Sequence, residues 1–224
     1  GAIDSTFDGT DGQNLRINLS NSFSNGDFSQ GISGWDVVNG DIHLDGNFQL
    51  GGHPTPVDST KPSGASFTND SFSQSVTTTT DHQDSGDYSL KLDTGKGFSD
   101  SYGIIKGPAI ISQSEVNLKE GDVVSFDWKA LGTGDAYDAY GYLLESTTGN
   151  TITILDVTGA EGGVNYPSSG FEEKSVTIGS GEDGSYDFVF VAGSYDATGG
   201  KRLGVSLLID DLSVTGDPSS QVSV

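Results

Sequence analysis

The side chains best equipped for chemistry in this chain are aspartates set among glycines and tyrosines. From Phe126 to Glu145 the sequence reads FDWKALGTGDAYDAYGYLLE, with Asp135 and Asp138 three residues apart and Tyr137 and Tyr140 beside them. A Gly-rich elbow of this kind offers carboxylates and backbone carbonyls, the hard oxygen donors that calcium takes. The run AGSYDATGGKRLG has the same character: Tyr195-Asp196-Ala197 repeats the Tyr-Asp-Ala of the elbow, and Gly199, Gly200, Lys201 and Arg202 follow. If the strands leading into the two runs are neighbours, both runs meet at one end of the fold and form a shallow calcium-bearing site. Lys201 and Arg202 are then either partners for a ligand carboxylate or part of a solvated turn.

Further aspartates fall into groups: Asp27 in SNGDF with Asp210-Asp211 in LLIDDLSV, Asp41 with Asp45 around GDIHLDG, and Asp81, Asp84 and Asp87 in the turn DHQDSGD. Turn chemistry accounts for any one of these groups; all of them together point to several calcium ions. In jelly-roll modules the first and last strands often lie side by side and share an ion, which is the role expected for Asp27, Asp210 and Asp211. Catalysis has less behind it. The three histidines, His43, His53 and His82, stand in no HExxH or GxSxG motif. A surplus of acids always supplies carboxylate pairs of the glycosidase kind, but here they are aspartates in turns, where ionised ligands are expected. The chain reads as a binding protein rather than an enzyme.

The elements that hold these residues are strands. Phe126, Trp128 and Ala130 alternate with polar neighbours, and Tyr140, Tyr142 and Leu144 resume the alternation, the period-two pattern of half-buried strands. Further strands are read at Tyr88–Leu92, Tyr102–Ile111, Val116–Leu118, Thr151–Val157, Glu172–Ile178, Tyr186–Val191 (central in its sheet) and Leu203–Ile209, with Phe28, Ile32 and Trp35 as anchors near the start. About ten strands with no helical period predict an all-β, calcium-stabilised, jelly-roll-like β-sandwich. Residues 25–216 form that domain, preceded by a flanking segment at 1–24 with a short strand at Leu15, Ile17 and Leu19, and followed by a linker at 217–224.

Composition narrows the partners. Of 224 residues, Asp+Glu number 32 against Lys+Arg 10, a net charge of −22, and the acids divide into 25 Asp and 7 Glu. The excess of Asp fits calcium loops; the total charge fits a high-salt or marine surface equally well. Nucleic acid and anionic membranes are repelled unless calcium neutralises the contact. No cysteine is present, which excludes disulfides and thiol chemistry, and no apolar run is long enough to span a bilayer as a helix.

The run GDVVSFDWKALGTGDAYDAYGYLLESTTGNTITILDVTG, with YDFVFVAGSYDATGGKRLGVSLLIDDLSV after it, resembles the peptide-binding domain of very long repeats-in-toxin (RTX) adhesins, as in the ice-binding adhesin of a marine bacterium and the haemagglutinin-type adhesin of vibrios. The similarity spans about Asn25 to Thr215. It implies an extracellular, calcium-stabilised module near the distal end of a bacterial surface adhesin, a monomeric domain in a long chain that grips the free C-terminal peptides of partner-cell proteins. Carried onto this sequence, Asp135, Asp138 and Asp196 would hold the ion that engages the terminal carboxylate. Tyr137, Tyr140 and Tyr195 would be walls, and Arg202 a second carboxylate partner. The alternatives are a calcium-dependent carbohydrate-binding module, stacking a sugar on an aromatic such as Trp35 or Tyr140, and a purely structural spacer.

Overall fold

The computed structural model describes residues 25–38, 66–67, 75–81, 87–95, 103–132, 136–158, 170–196 and 205–216. These residues form strands β1 (Trp35–Val38), β2 (Ser66–Phe67), β3 (Ser75–Thr79), β4 (Ser89–Asp93), β5 (Gly103–Ser112), β6 (Val116–Leu118), β7 (Val123–Gly132), β8 (Ala136–Glu145), β9 (Thr151–Thr158), β10 (Glu172–Thr177), β11 (Gly184–Asp196) and β12 (Val205–Thr215). The expected strand at Leu15, Ile17 and Leu19 lies outside the described residues.

The strands divide into two sheets, and the fold is an all-β, jelly-roll-like sandwich. One sheet of seven strands runs β1-β5-β11-β8-β9, with β2 added to β5 and β6 to β11; the other, of five, runs β10-β7-β12-β4-β3. Apart from the parallel pair of β2 and β5, all pairings are antiparallel. β11 lies at the middle of its sheet, as its long alternating pattern predicted. β7 belongs to the five-stranded sheet and β8, the next strand in the chain, to the seven-stranded one.

β7 shows why these residues take this shape. Val124, Phe126, Trp128 and Ala130 are all buried while their neighbours are half-exposed, so one face of the strand meets the core and the other does not. Across the sandwich they meet Phe188, Phe190 and Ala192 of β11. Phe126 and Phe190 pack edge to face at 5.2 Å between ring centres, and Trp35 lies 6.5 Å from Phe190 and 5.7 Å from Phe28. Trp35, one of the aromatics considered for stacking a sugar, is therefore core: 5% exposed and ringed by phenylalanines.

β8 departs from the simple alternation. Tyr137, Ala139 and Leu143 face the core between the sheets, whereas Tyr140, Tyr142 and Leu144 belong to a second apolar cluster with Ala109, Val189, Val191 and the half-buried Ile111. Since Phe188 and Phe190 alternate with Val189 and Val191 along β11, this second cluster occupies the outer face of the seven-stranded sheet. Tyr140, Tyr142 and Leu144, read from the sequence as the alternating side of a half-buried strand, thus point away from the core. Both faces of β8 are covered, a situation in which periodicity alone does not tell inside from outside.

Candidate functional site

Two places in the described structure could bind something. The first is a junction at the sandwich edge. The turn Asn25–Gln30 is organised by Asn25, whose Nδ2 donates to the carbonyls of Gly31 and Ser33 at 2.8 and 3.0 Å and whose Oδ1 accepts from Gln30 N at 2.8 Å. Asp27 Oδ1 caps the turn, accepting from Ser29 N and Oγ at 3.1 and 2.9 Å. β12 reaches this turn where its pairing with β7 is bulged between Asp210 and Ser213, and Leu212 N donates to Gly26 O at 3.0 Å. An open pocket of about 520 Å³ lies between, lined by Asn25, Gly26, Asp27, Ser29, Gln30 and Asp211–Ser213.

Asn25, Phe28 and Asp211 all have positive φ, at 83°, 51° and 49°. Left-handed backbone costs a non-glycine residue of order 1–2 kcal/mol, and here three such residues converge on one pocket. Asp210, fully buried, accepts the Asp211 N–H at 2.9 Å. The polar side chains around the pocket carry oxygen donors throughout, which suits a hard cation. No group of three or more Asp, Glu, His or Cys close enough to hold a metal occurs among the described residues, so an ion here would draw part of its shell from backbone carbonyls and hydroxyls. Of the three aspartates expected here, Asp27 and Asp211 line the pocket, while Asp210 is fully buried and is not among its lining residues.

The second place is the outer face of the seven-stranded sheet. Register aligns two rows across it: Asp36–Ile111–Val189–Tyr142–Thr153 and Val38–Ala109–Val191–Tyr140–Asp156. Tyr140 and Tyr142 stand side by side at 5.3 Å between ring centres, 2% and 1% exposed. Burial pushes the Tyr142 phenol well above its ordinary pKa, and Tyr140 adds to the shift. Tyr140 Oη is 3.5 Å from Thr153 Oγ1. At the margin of β9, Thr151, Thr153 and Asp156 are exposed. The apolar cluster is therefore closed, and what this side of the sheet exposes at β9 is hydroxyls and a carboxylate.

One carboxylate there is held at a cost. Asp187, the cross-strand partner of Leu144, has its pKa raised by burial and by the neighbouring Glu115, which accepts from Ser185 Oγ at 2.8 Å. A folded pKa above the unfolded value, about 3.9 for Asp, means that the contribution of Asp187 to stability is fully present below the unfolded pKa and is lost as pH rises through the folded one. Asp187→Asn is accordingly expected to raise the melting temperature at pH 7 and to leave it unchanged near pH 3. Melting curves of both proteins across this range check it, and a destabilised Asn variant at pH 7 would refute the assignment.

The remaining expected site residues scatter. Tyr137 is 5% exposed inside the core and Tyr140 is in the outer cluster, on the opposite face of β8, so the two do not wall one rim pocket. Both runs of Tyr-Asp do meet: Tyr195 pairs with Ala136, and Asp138 with Gly193 of β11 and Thr158 of β9, within strands rather than loops. Asp196 ends β11 opposite Gly103. Asp81 is ion-paired with Lys129 at 2.9 Å and Asp87 is exposed in the bend before β4. Asp135, Gly199, Gly200, Lys201, Arg202, Asp41, Asp45 and Asp84 lie outside the described residues. Sequence reasoning missed the outer-face border, Asp36 at the β1 edge and Thr153 and Asp156 at the β9 edge; only strand register places them on one face.

No family model matches the chain, and no curated protein does. Solved structures do match. One is a carbohydrate-binding module, TmCBM61, solved with β-1,4-galactotriose, at TM-score 0.41 and 14% identity, covering 87% of this chain and 97% of that one. A second is a CBM28 module specific for non-crystalline cellulose, at TM-score 0.38 and 14% identity over 63% of this chain and 82% of that one. A third is CBM27-1 of Caldicellulosiruptor saccharolyticus with mannohexaose, at TM-score 0.40 and 15% identity over 64% and 82%. Similarity at this level bears on the fold. The expected C-terminal peptide clamp is corrected: these matching structures are carbohydrate-binding modules, and the two tyrosine walls whose side chains are described are buried on opposite faces of one strand.

Proposed function

We propose that this chain is a non-catalytic carbohydrate-binding module whose ligand site is the exposed β9 border of the seven-stranded sheet, on the side away from the core. The observation that carries the reading is the exposed polar border on β9, Thr151, Thr153 and Asp156, on the side of the sheet facing away from the core. The Tyr140–Tyr142 pair behind it, 2% and 1% exposed, supports that border and offers no ring face of its own. Ligand sites use a few placed polar groups to fix orientation, and a pyranose offers the matching hydroxyls. The exposed Thr151, Thr153 and Asp156 supply those polar groups here.

Calcium belongs to this proposal as a stabilising ion at the Asn25–Gln30 and β12 junction, held by Asp27 and Asp211 with neighbouring carbonyl and hydroxyl oxygens. It would tie the start of the domain to its last strand, away from the glycan face.

Affinity electrophoresis in gels containing galactan, mannan or β-glucan tests the reading. Wild-type protein is expected to be retarded by at least one polymer. Thr153→Gln, a longer side chain at an exposed strand position, is expected to weaken that retardation about tenfold, the scale of one good hydrogen-bonded contact, with the melting temperature preserved. Free migration of the wild type in all three gels rejects carbohydrate binding. Equal retardation of both proteins moves the site off this face.

A further inference from the structure

The apolar cluster on the outer face of the seven-stranded sheet is buried more deeply than one sheet can bury it. Ala109 and Val189 are fully buried, Tyr142 is 1% exposed, Tyr140 2% and Val191 3%. Among the described residues the cluster draws on this sheet alone: Ala109 and Ile111 on β5, Tyr140, Tyr142 and Leu144 on β8, Val189 and Val191 on β11. Side chains stand roughly perpendicular to a sheet, so neighbours on one face flank each other and leave their tips uncovered. Burial this complete needs a further layer packed on top, about 10 Å above the sheet. The five-stranded sheet is not that layer, because it packs on the opposite face through Leu143, Phe188 and Phe190. The exposures are those of a single chain, so the cover is neither a second copy nor a separate partner. It comes from this chain.

Where the chain leaves and rejoins the strands singles out the segment. β1 ends at Val38 opposite Ala109, itself a member of the cluster, and β2 begins at Ser66 opposite Gly103, six residues along the same strand β5. That interval is about 20 Å, which roughly six extended residues would span. Residues 39–65 fill it instead, a large surplus of chain. Of the other connections outside the described residues, 68–74, 96–102, 133–135, 159–169 and 197–204 each lead from one sheet to the other, and 82–86 stays with the five-stranded sheet. Only 39–65 starts and ends on the seven-stranded sheet. Its sequence also suits an apolar face: Ile42 with Leu44, and Phe48 with Leu50, recur at the two-residue spacing of an extended chain with one apolar side.

We infer that the outer face of the seven-stranded sheet is an intramolecular docking surface whose occupant is the segment 39–65, with the apolar run from Ile42 to Leu50 laid against Tyr140, Tyr142, Val189 and Val191. The docked run makes a third layer on this side of the sandwich. It withdraws the face from ligands and leaves the β9 margin as the part that meets solvent, where the glycan reading places its site. The inference stands independently of that reading.

The chain has no cysteine, so introduced thiols report only on each other. In the full chain, Val191→Cys is combined in turn with Ile42→Cys, Leu44→Cys, Phe48→Cys or Leu50→Cys, and for comparison with Ile17→Cys or Val164→Cys. A disulfide needs Cα atoms within about 7 Å, so the pair that crosslinks identifies the residue lying over Val191. Under mild oxidation at least one of the first four pairs is expected to crosslink nearly completely, and the comparison pairs to stay reduced. A second measurement does not depend on the choice of pair. Val191→Cys alone is treated with a maleimide in the full chain and in a chain whose residues 39–65 are replaced by about six Gly/Ser residues. A buried thiol reacts only through local opening, so it should react at least about tenfold faster in the shortened chain. Equal protection in both chains overturns the inference, and so does crosslinking to Ile17→Cys or Val164→Cys in place of the first four. If the shortened chain does not melt cooperatively, the crosslinks decide alone, and no crosslink among the first four pairs then overturns it.

Discussion

Gly26→Ala is expected to melt about 5–10 °C below wild type, the range set by overpacking against fixed backbone in a domain of this size. A Cβ at Gly26 would sit 2.2 Å from the carbonyl oxygen of Leu212 and 3.2 Å from its carbon. Neither is the end of a flexible side chain, so the backbone of the turn or of β12 has to move. The movement would also disturb the Leu212 N–H to Gly26 O hydrogen bond of 3.0 Å, the contact that sets Asp27 beside Asp211. Gly149 provides the comparison. Its φ is +74° and nothing lies within 4 Å of an added Cβ, so Gly149→Ala meets only backbone strain, of order 1–2 kcal/mol. Thermal melts of the two variants should rank Gly26→Ala as the more damaging. The reverse order would mean that the turn and the last strand are not held this close.

The fold was legible where one face of a strand is buried and the other is not. β7 shows this best: Phe126, Trp128 and Ala130 stand out against Ser125, Asp127 and Lys129, and the alternation matches the burial found. It failed at β8. There Tyr137, Ala139 and Leu143 fill the core while Tyr140, Tyr142 and Leu144 build a second cluster outside it, so the strand read as half-buried is buried on both faces. The acidic elbow misled for a related reason. Tyr-Asp-Ala among glycines has loop composition, yet Ala136–Tyr140 continues straight into a strand with ten cross-strand partners on β11. Local composition does not contain the neighbour that makes a strand.

The sites divide along the same line. Asp27 and Asp211 could be expected at one place because each lies in a recognisable local setting, a turn before the first described strand and the bulged middle of the last. What was needed beyond that was the knowledge that jelly-roll ends meet. The outer-face carboxylates Asp36, Asp156 and Asp187 come from three strands widely separated in the chain, and nothing in the local text of any one of them tells that they share a face. Only register shows it. The same holds for charge: composition gave the total of −22, and pairing gave its distribution over the strands.

Calcium should raise the melting temperature of the wild type by roughly 5–10 °C over its value in chelator, when the ion is present at about a hundredfold above its Kd. Asp211→Gly separates the ligand from the backbone it sits on. Asp211 holds a φ of +49°, a conformation glycine adopts without steric cost, and its carboxylate lines a pocket together with that of Asp27. Removing that carboxylate while relieving the strain has opposite consequences in the two conditions. In chelator the variant should equal or exceed the wild type, since it loses both the strained backbone and a like charge. In calcium it should fall below the wild type, since the ion has lost a ligand. A purely structural Asp211 predicts the same difference between the two proteins with and without the ion. A wild type whose melting temperature does not respond to calcium would remove the ion from this junction, and the strain at Asn25, Phe28 and Asp211 would then belong to the way the turn and the bulged strand are packed together.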